Sequence, residues 1–294
     1  MRILKRPKII FCALLIFVLV ESSILLNNKN FSTKSEDGID LPNSESELLT
    51  LAQKYFHDGQ YEQTIKAYQK ALNLTSDKEN IYLQLANTYR YWGKYEDSEA
   101  MFNKALEINP KNDWTYTDLG KLYRNMKRYD DAEAMFNKAL EINPKSDSAY
   151  GYGLGYLYRD MGKNDDALKM FKKALELNPS EFNYSGLGDI YRDMENYEES
   201  EAMFKKALEI NPKSEAYNGL GWLYLQQEKY DQAEWAFKQF LEKVREKGEV
   251  YYALGKTYVQ QGRVDEAEKA LKRAVELNPD NQTFRDALAS LKSR

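Results

Sequence analysis

Residues 99–111 and residues 133–145 both read EAMFNKALEINPK, thirteen identical letters at a spacing of 34. That period constrains folding more than any other feature of the chain, because a repeat of about 20 to 50 residues is one supersecondary unit that cannot bury its apolar face alone. The spacing extends well beyond the identical stretch. Leu51, Leu85, Leu119, Leu154, Leu187, Leu220 and Leu254 are separated by 34, 34, 35, 33, 33 and 34 residues, and a tyrosine follows each of them four residues later, from Tyr55 to Tyr258. Thirteen after each leucine stands Ala, Ser or Thr, and four further on an apolar or aromatic residue: Tyr68, Phe102, Phe136, Phe171, Phe204, Phe237 and Leu271.

These offsets describe two helices per unit. At 100° per residue, offsets −3, 0, +1 and +4 from the leucine form one apolar stripe on a first helix. Gly or Ala at +1 lets a second helix approach closely. In the third unit that second helix opens with Asp130 and Asp131, which suit a helix N-terminus by capping and by the dipole, and Pro144 after Asn143 ends it. An equivalent proline recurs at positions 110, 179, 212 and 279, whereas units one and six lack it. In unit six, Phe240 replaces the usual alanine and Val244-Arg245 replaces Asn-Pro, so its second helix is expected to run on towards Gly248.

The pattern Tyr116-x2-Leu119-Gly120-x2-Tyr123, then Ala132-x3-Phe136, then Pro144, resembles the tetratricopeptide repeat, with Tyr where that motif often has Trp. The resemblance implies an all-α fold, a right-handed superhelix (α-solenoid) of helix-turn-helix repeats. Seven units are expected, at 45–78, 79–112, 113–147, 148–180, 181–213, 214–247 and 248–281, closed by a capping helix over 282–294.

The chain's start is a separate object. Arg2, Lys5, Arg6 and Lys8 precede the uncharged run Ile9 to Val20, and a second apolar patch, Ile24 to Leu26, follows Glu21. Residues 1–26 read as a targeting segment, either a cleaved signal peptide or an uncleaved transmembrane anchor of about 27 Å as helix. A run apolar all round offers no polar face for an amphipathic helix. Both readings keep the basic end cytoplasmic and put the body outside, membrane-anchored or secreted. Residues 27–44, polar and carrying Gly38 and Pro42, read as a flexible linker.

Of the formal charge of −4, residues 27–294 carry −7, which argues against general nucleic-acid binding. Cys12 is the only cysteine, so the repeats can form no internal disulfide and no CxxC site. His57 is the only histidine, HExxH, GxSxG and phosphate-loop motifs are missing, and pairs such as Asp165-Asp166 are explained by helix starts. GYGLG at 151–155 lacks the dinucleotide-binding spacing. The expectation is a non-catalytic chain needing no cofactor and no metal. Asn-x-Ser/Thr triplets occur at 30, 73, 183 and 281.

Offsets −5, −2, +2, +5 and +6 lie opposite the packed stripe, and the resemblance implies that this face lines a concave groove where partners bind. Four consecutive units carry arginine there, Arg90, Arg124, Arg159 and Arg192, followed by Tyr91, Asn125, Asp160 and Asp193. Trp114, Tyr152, Tyr156, Phe182, Trp222 and Tyr252 share the face. With helices 8–10 Å apart, the ladder would present a guanidinium roughly every 10 Å, close to three residues of extended chain. This predicts a groove for an extended acidic peptide, with anionic side chains on the arginines and apolar ones on the aromatic walls. The alternative is that Arg159 and Arg192 pair with Asp160, Asp189 or Asp193 as exposed ion pairs worth about 0.2–1 kcal/mol each. Rings alternating with Arg and Asp also suit a glycan, as in family members that assist polysaccharide export. The Lys and Asn pattern with which some family members clamp a terminal carboxylate is missing, since Leu83 stands where the lysine would be and Asp118 follows in the next unit. Gly153, Gly186 and Gly219, each just before the unit's leucine, either leave room for a ligand beside Tyr156 and Trp222 or permit close helix packing.

Overall fold

The computed structural model describes residues 41–292; the targeting segment 1–26 and linker residues 27–40 lie outside them. The described residues are helical throughout, with no strand. Successive hairpins are α1 (Glu45–His57) with α2 (Tyr61–Leu72), α3 (Lys78–Tyr91) with α4 (Tyr95–Ile108), and α5 (Asp113–Asn125) with α6 (Tyr129–Ile142). A π-helical segment, Ala149–Gly155, continues as α7 (Tyr156–Asp160) and pairs with α8 (Asn164–Leu177). Then come α9 (Glu181–Asp193) with α10 (Tyr197–Ile210), α11 (Ala216–Gln226) with α12 (Tyr230–Lys243), α13 (Gly248–Gln260) with α14 (Val264–Leu277), and the closing α15 (Gln282–Lys292). Each helix packs on the next, and the second helix of one hairpin packs on the first of the following one, so the chain is an all-α solenoid.

The turn inside every hairpin needs one left-handed residue: Gly59, Gly93, Lys127, Gly162, Glu195, Glu228 and Gly262 have φ between 59° and 80°. At Gly93 the amide donates to Arg90 O and Lys94 N–H donates back to Tyr89 O, the Schellman arrangement that satisfies the last carbonyls of a helix. Asp130 and Asp131 lie in the first turn of α6, where they act on the dipole, but neither caps it. The N-cap is Arg128, without a side-chain cap, and Asp131 Oδ2 instead accepts from Arg128 Nε at 2.7 Å.

The Asn-Pro connection is a clamp. Asn143 Nδ2 donates to Asp113 Oδ2 (2.8 Å) at the start of its own hairpin, while its Oδ1 accepts from Lys145 N–H (3.2 Å). Asn109, Asn178 and Asn211 make the same bond to Glu79, Asp147 and Glu181. In unit six, Arg245 reaches Glu215 in their place. There α12 stops at Lys243 and does not run on to Gly248, because α13 already begins at that residue; Phe240, fully buried, packs in the core.

A row of buried rings, Phe102, Phe136, Phe171, Phe204 and Phe237, forms the spine between hairpins. Three of them lie between two glycines, one from the first helix of their own hairpin and one from the first helix of the next. A Cβ on Gly120 or Gly153 would stand 2.5 or 2.7 Å from Phe136. For Phe171 the corresponding values are 2.8 Å from Gly155 and 2.2 Å from Gly186, and for Phe204 they are 2.8 Å from Gly188 and 2.3 Å from Gly219. The bare positions before the leucines therefore admit a phenylalanine ring from the preceding hairpin, which answers their cost in helix propensity; they leave no room for a ligand.

A second set of bonds ties neighbours together. Tyr123, Tyr158 and Tyr224 donate their hydroxyls to Glu99 (2.7 Å), Glu133 (2.7 Å) and Glu201 (2.9 Å) on the second helix of the preceding hairpin. At the N-terminal end, Lys70 Nζ donates to Leu41 O (2.7 Å) and Asn43 Oδ1 (2.8 Å), so residues 41–43 dock on α2 and are not free tether.

Candidate functional site

The first helices of successive hairpins lie side by side, and side chains 30 to 36 residues apart meet across their exposed face. Arg159 of α7 donates Nε to Asp193 Oδ2 (2.5 Å) and Nη1 to Asp189 Oδ2 (3.5 Å) on α9. Arg192 donates Nη1 to Asp189 Oδ1 (2.9 Å), with Nη2 at 3.4 Å from Asp193. Two arginines and two aspartates thus close into a neutral cluster, with Arg192 only 13% exposed. Burial alone would lower the Arg159 pKa, but the hydrogen bond with Asp193 and the charges of Asp189 and Asp193 raise it. Burial pushes Asp189 up, against the pull of Arg192 and Arg159.

The other half of the ladder differs. Arg124 is held mainly by Tyr152 O, to which its Nη1 donates at 3.0 Å, and Asp160 stands at 3.5 Å from Nε. Its guanidinium lies 5.5 Å from the Tyr156 ring centroid, and burial lowers its pKa. Arg90 has no carboxylate in ion-pair range among the described residues. It donates to Asn87 Oδ1 (2.8 Å), lies 4.9 Å from the Tyr91 centroid, and keeps a buried Nε without a hydrogen-bond partner.

The carbonyl that holds Arg124 is presented by the π-helical segment, and the sequence explains that segment. From Asn112 to Leu119 and from Ser180 to Leu187 is seven residues, but from Ser146 to Leu154 it is eight. Ser146 Oγ accepts from Ala149 N–H (3.3 Å) as Asn112 Oδ1 accepts from Thr115 N–H (3.2 Å), so the helix starts in register and must absorb one extra residue before Leu154. A π turn, with its wider i→i+5 ring, does this, and such turns concentrate at functional sites. The spacing of 35 was its signal.

Tyr152, Tyr156, Phe182 and Trp222 wall a cavity of about 370 Å³ whose polar boundary includes Arg159, Asp189 and Arg192. Tyr152 has its centroid 5.7 Å from both Tyr156 and Phe182, Tyr156 packs edge-on against Phe171, and Trp222 packs edge-on against Phe237. Burial raises the pKa of Tyr152 and Tyr156, reinforced at Tyr152 by Glu181 and Glu215 and at Tyr156 by Asp189. A second basin of about 480 Å³ shares Arg192 and Trp222 and continues to Leu225 and Lys256. Lys256 Nζ lies 5.8 Å from the ring centroids of both Trp222 and Tyr252, and Tyr252 stacks on Phe284 at 5.1 Å.

Of the residues named from sequence, Tyr152, Tyr156, Arg159, Arg192 and Trp222 converge on this groove, with Tyr252 at its C-terminal end. Arg90 and Tyr91 form a separate group at the N-terminal end, where Tyr91 packs edge-on to Phe56 at 5.3 Å. Trp114 (60% exposed) opens α5, at the opposite end from Arg124 and the exposed Asn125 that ends it. Asn218 and Lys256 were missed by sequence reasoning, although they occupy the same offsets, −2 and +2, that marked the others. No described residues form a cluster of three or more His, Cys, Asp or Glu that could hold a metal. No described helix is long and apolar enough to cross a membrane.

Sequence profiles described as tetratricopeptide repeat match residues 44–111, 146–213 and 181–246, residues 93–154, and residues 218–282 and 252–291. No curated protein sequence matches the chain. Among solved structures, a tetratricopeptide repeat protein from Parabacteroides merdae is 21% identical with a TM-score of 0.65, covering 86% of this chain and 100% of its own. PilW, a type IV pilus biogenesis factor, is 21% identical with a TM-score of 0.59, covering 73% and 100%. A thermophilic repeat protein from Thermus thermophilus is 26% identical with a TM-score of 0.57, covering 62% and 100%.

Proposed function

The chain belongs to the tetratricopeptide repeat family, whose arrays are protein-interaction scaffolds, and from that premise we propose that its groove binds an extended acidic peptide segment of a partner protein. The observation that carries the reading is the division of the ladder. Arg159 and Arg192 share Asp189 and Asp193 in a closed cluster, whereas Arg90 has no carboxylate in range among the described residues and Arg124 has one, Asp160 at 3.5 Å, whose side chain is 45% exposed. Acidic side chains of the ligand therefore belong at the Arg90–Arg124 end, and its apolar side chains on the aromatic walls further along. No reaction is assigned to the chain. The N-terminal run Ile9 to Leu26 holds the array on the outer side of the cytoplasmic membrane, or releases it there after cleavage.

The test is fluorescence anisotropy with labelled acidic dodecapeptides. Reversing Arg90 and Arg124 together to Glu should abolish binding while thermal melting stays cooperative; unchanged affinity would remove the acidic preference. The neutral cluster beside four aromatic rings favours one second reading, a glycan ligand, and an oligosaccharide array run in parallel separates the two.

A further inference from the structure

The aromatic cavity differs in chemistry from the arginine end of the groove. Its charged groups are already joined, Arg159, Arg192 and Asp189 with Asp193 in the closed cluster and Glu215 with Arg245, so an entering charge would lose its hydration and find no free counter-charge. Its walls are rings, Tyr152 and Phe182 in contact with centroids 5.7 Å apart, and Trp222, surfaces on which a further ring packs edge-to-face or offset. Phe182, 53% exposed, leaves an apolar face uncovered at the mouth. One polar atom there is unanswered. Asn218 Oδ1, on α11, is buried and accepts no hydrogen bond, and Asn218 lines this cavity. A buried acceptor left unmade costs more than a hydrogen bond returns, so the occupant that completes the site brings a donor.

Resting on the groove reading above, we propose that this cavity is the anchor subsite for one aromatic side chain of the partner peptide carrying a hydrogen-bond donor at its tip, a tyrosine or tryptophan, whose hydroxyl or indole N–H donates to Asn218 Oδ1. Phenylalanine fits the walls and leaves the acceptor empty. Leucine loses the ring contacts as well. A lysine or arginine brings a donor together with a charge that loses its hydration among the rings and meets only carboxylates already paired.

The full-length chain, solubilised in detergent, is probed with a position-scanning library of acidic dodecapeptides in which one position is Tyr, Trp, Phe, Leu, Lys or Ala. At one position Tyr or Trp should bind about tenfold more tightly than Phe, the discrimination expected for one buried acceptor left unpaired. Asn218→Leu should make Tyr and Phe equal, and Phe182→Ala, at an exposed position, should weaken every aromatic peptide. Melting curves check that both variants fold. If acidic peptides bind but Tyr and Phe are equal in the unmodified chain, or the Tyr preference survives Asn218→Leu, the anchor inference is overturned and the groove reading stands. If no peptide in the library binds, the groove reading fails and the anchor with it.

Discussion

The Phe171 ring fills the space that a side chain on Gly186 would need: a Cβ built there stands 2.2 Å from Cε1 of the ring. Gly186 lies inside α9 and Phe171 inside α8, so the contact is the seam between the fourth and fifth hairpins. Ala for Gly within a helix normally gains about 1 kcal/mol. Here the sign should invert. Gly186→Ala and Gly219→Ala should each cost about 1–3 kcal/mol by overpacking, read as a drop in urea midpoint. Phe171→Leu should recover part of the loss in the Gly186→Ala background; a stabilised single variant would show that the seam yields freely.

Lys127, Glu195 and Glu228 do the work of glycine in three of the seven turns, at φ 59–62°. A side chain in that region is strained, so replacing each by Gly should stabilise the array by about 0.5–1 kcal/mol despite the greater freedom Gly has when unfolded. Differential scanning calorimetry of the triple variant checks this. A fall in melting temperature would contradict it.

Two tyrosine bonds between hairpins should appear in the alkaline limb of stability. Burial first, then the hydrogen bonds to Glu99 and Glu133, push Tyr123 and Tyr158 from 10.0 up to about 12. A group whose folded pKa is raised contributes stability that is complete below the unfolded pKa and is lost as pH rises through the folded one. Melting temperature should therefore fall between about pH 10 and 12, less steeply in a Tyr123→Phe/Tyr158→Phe variant. Equal slopes would exclude these two groups.

The acid limb has a different group. Burial would raise Glu234, but hydrogen bonds from Lys238, Arg263 and Gln261 outweigh it and lower the carboxyl from 4.5 to about 2. A depressed acid stabilises above its unfolded pKa, and the contribution disappears as pH falls from about 4.5 to 2. Glu234→Gln should melt lower than the parent at pH 7 and converge with it near pH 2. Because Glu234 sits at the seam between the sixth and seventh hairpins, bonded to Arg263, the same variant should increase amide exchange in α13 and α14.

Salt separates the two halves of the arginine ladder. Peptide binding that depends on Arg90 and Arg124 should weaken steeply between 50 and 500 mM salt, as exposed charge pairing does at a Debye length falling from about 14 to 4 Å. The Arg159–Asp193 pair, held partly out of water, should be less sensitive, so a double-mutant cycle on melting temperature should give the same coupling at both salt concentrations.

The repeat, its two helices and the residues turned away from the packed stripe were all legible in the linear chain, because they depend on local periodicity: Leu119, Tyr123 and Phe136 mark one hairpin whatever its neighbours do. Even the π-helical turn was written there, in the eight residues from Ser146 to Leu154 where its neighbours have seven. What the letters left open was decided by contacts between hairpins. Whether Gly186 made room for a ligand or for Phe171, and whether Arg159 faced a partner or Asp193, turned on how one helix stacks on the next. That stacking is set by side chains some 15 to 34 positions away, beyond the reach of any helical period. So the chain's own order named the groove, and only the packed array showed which of its arginines are already answered and that the Asn218 acceptor is not.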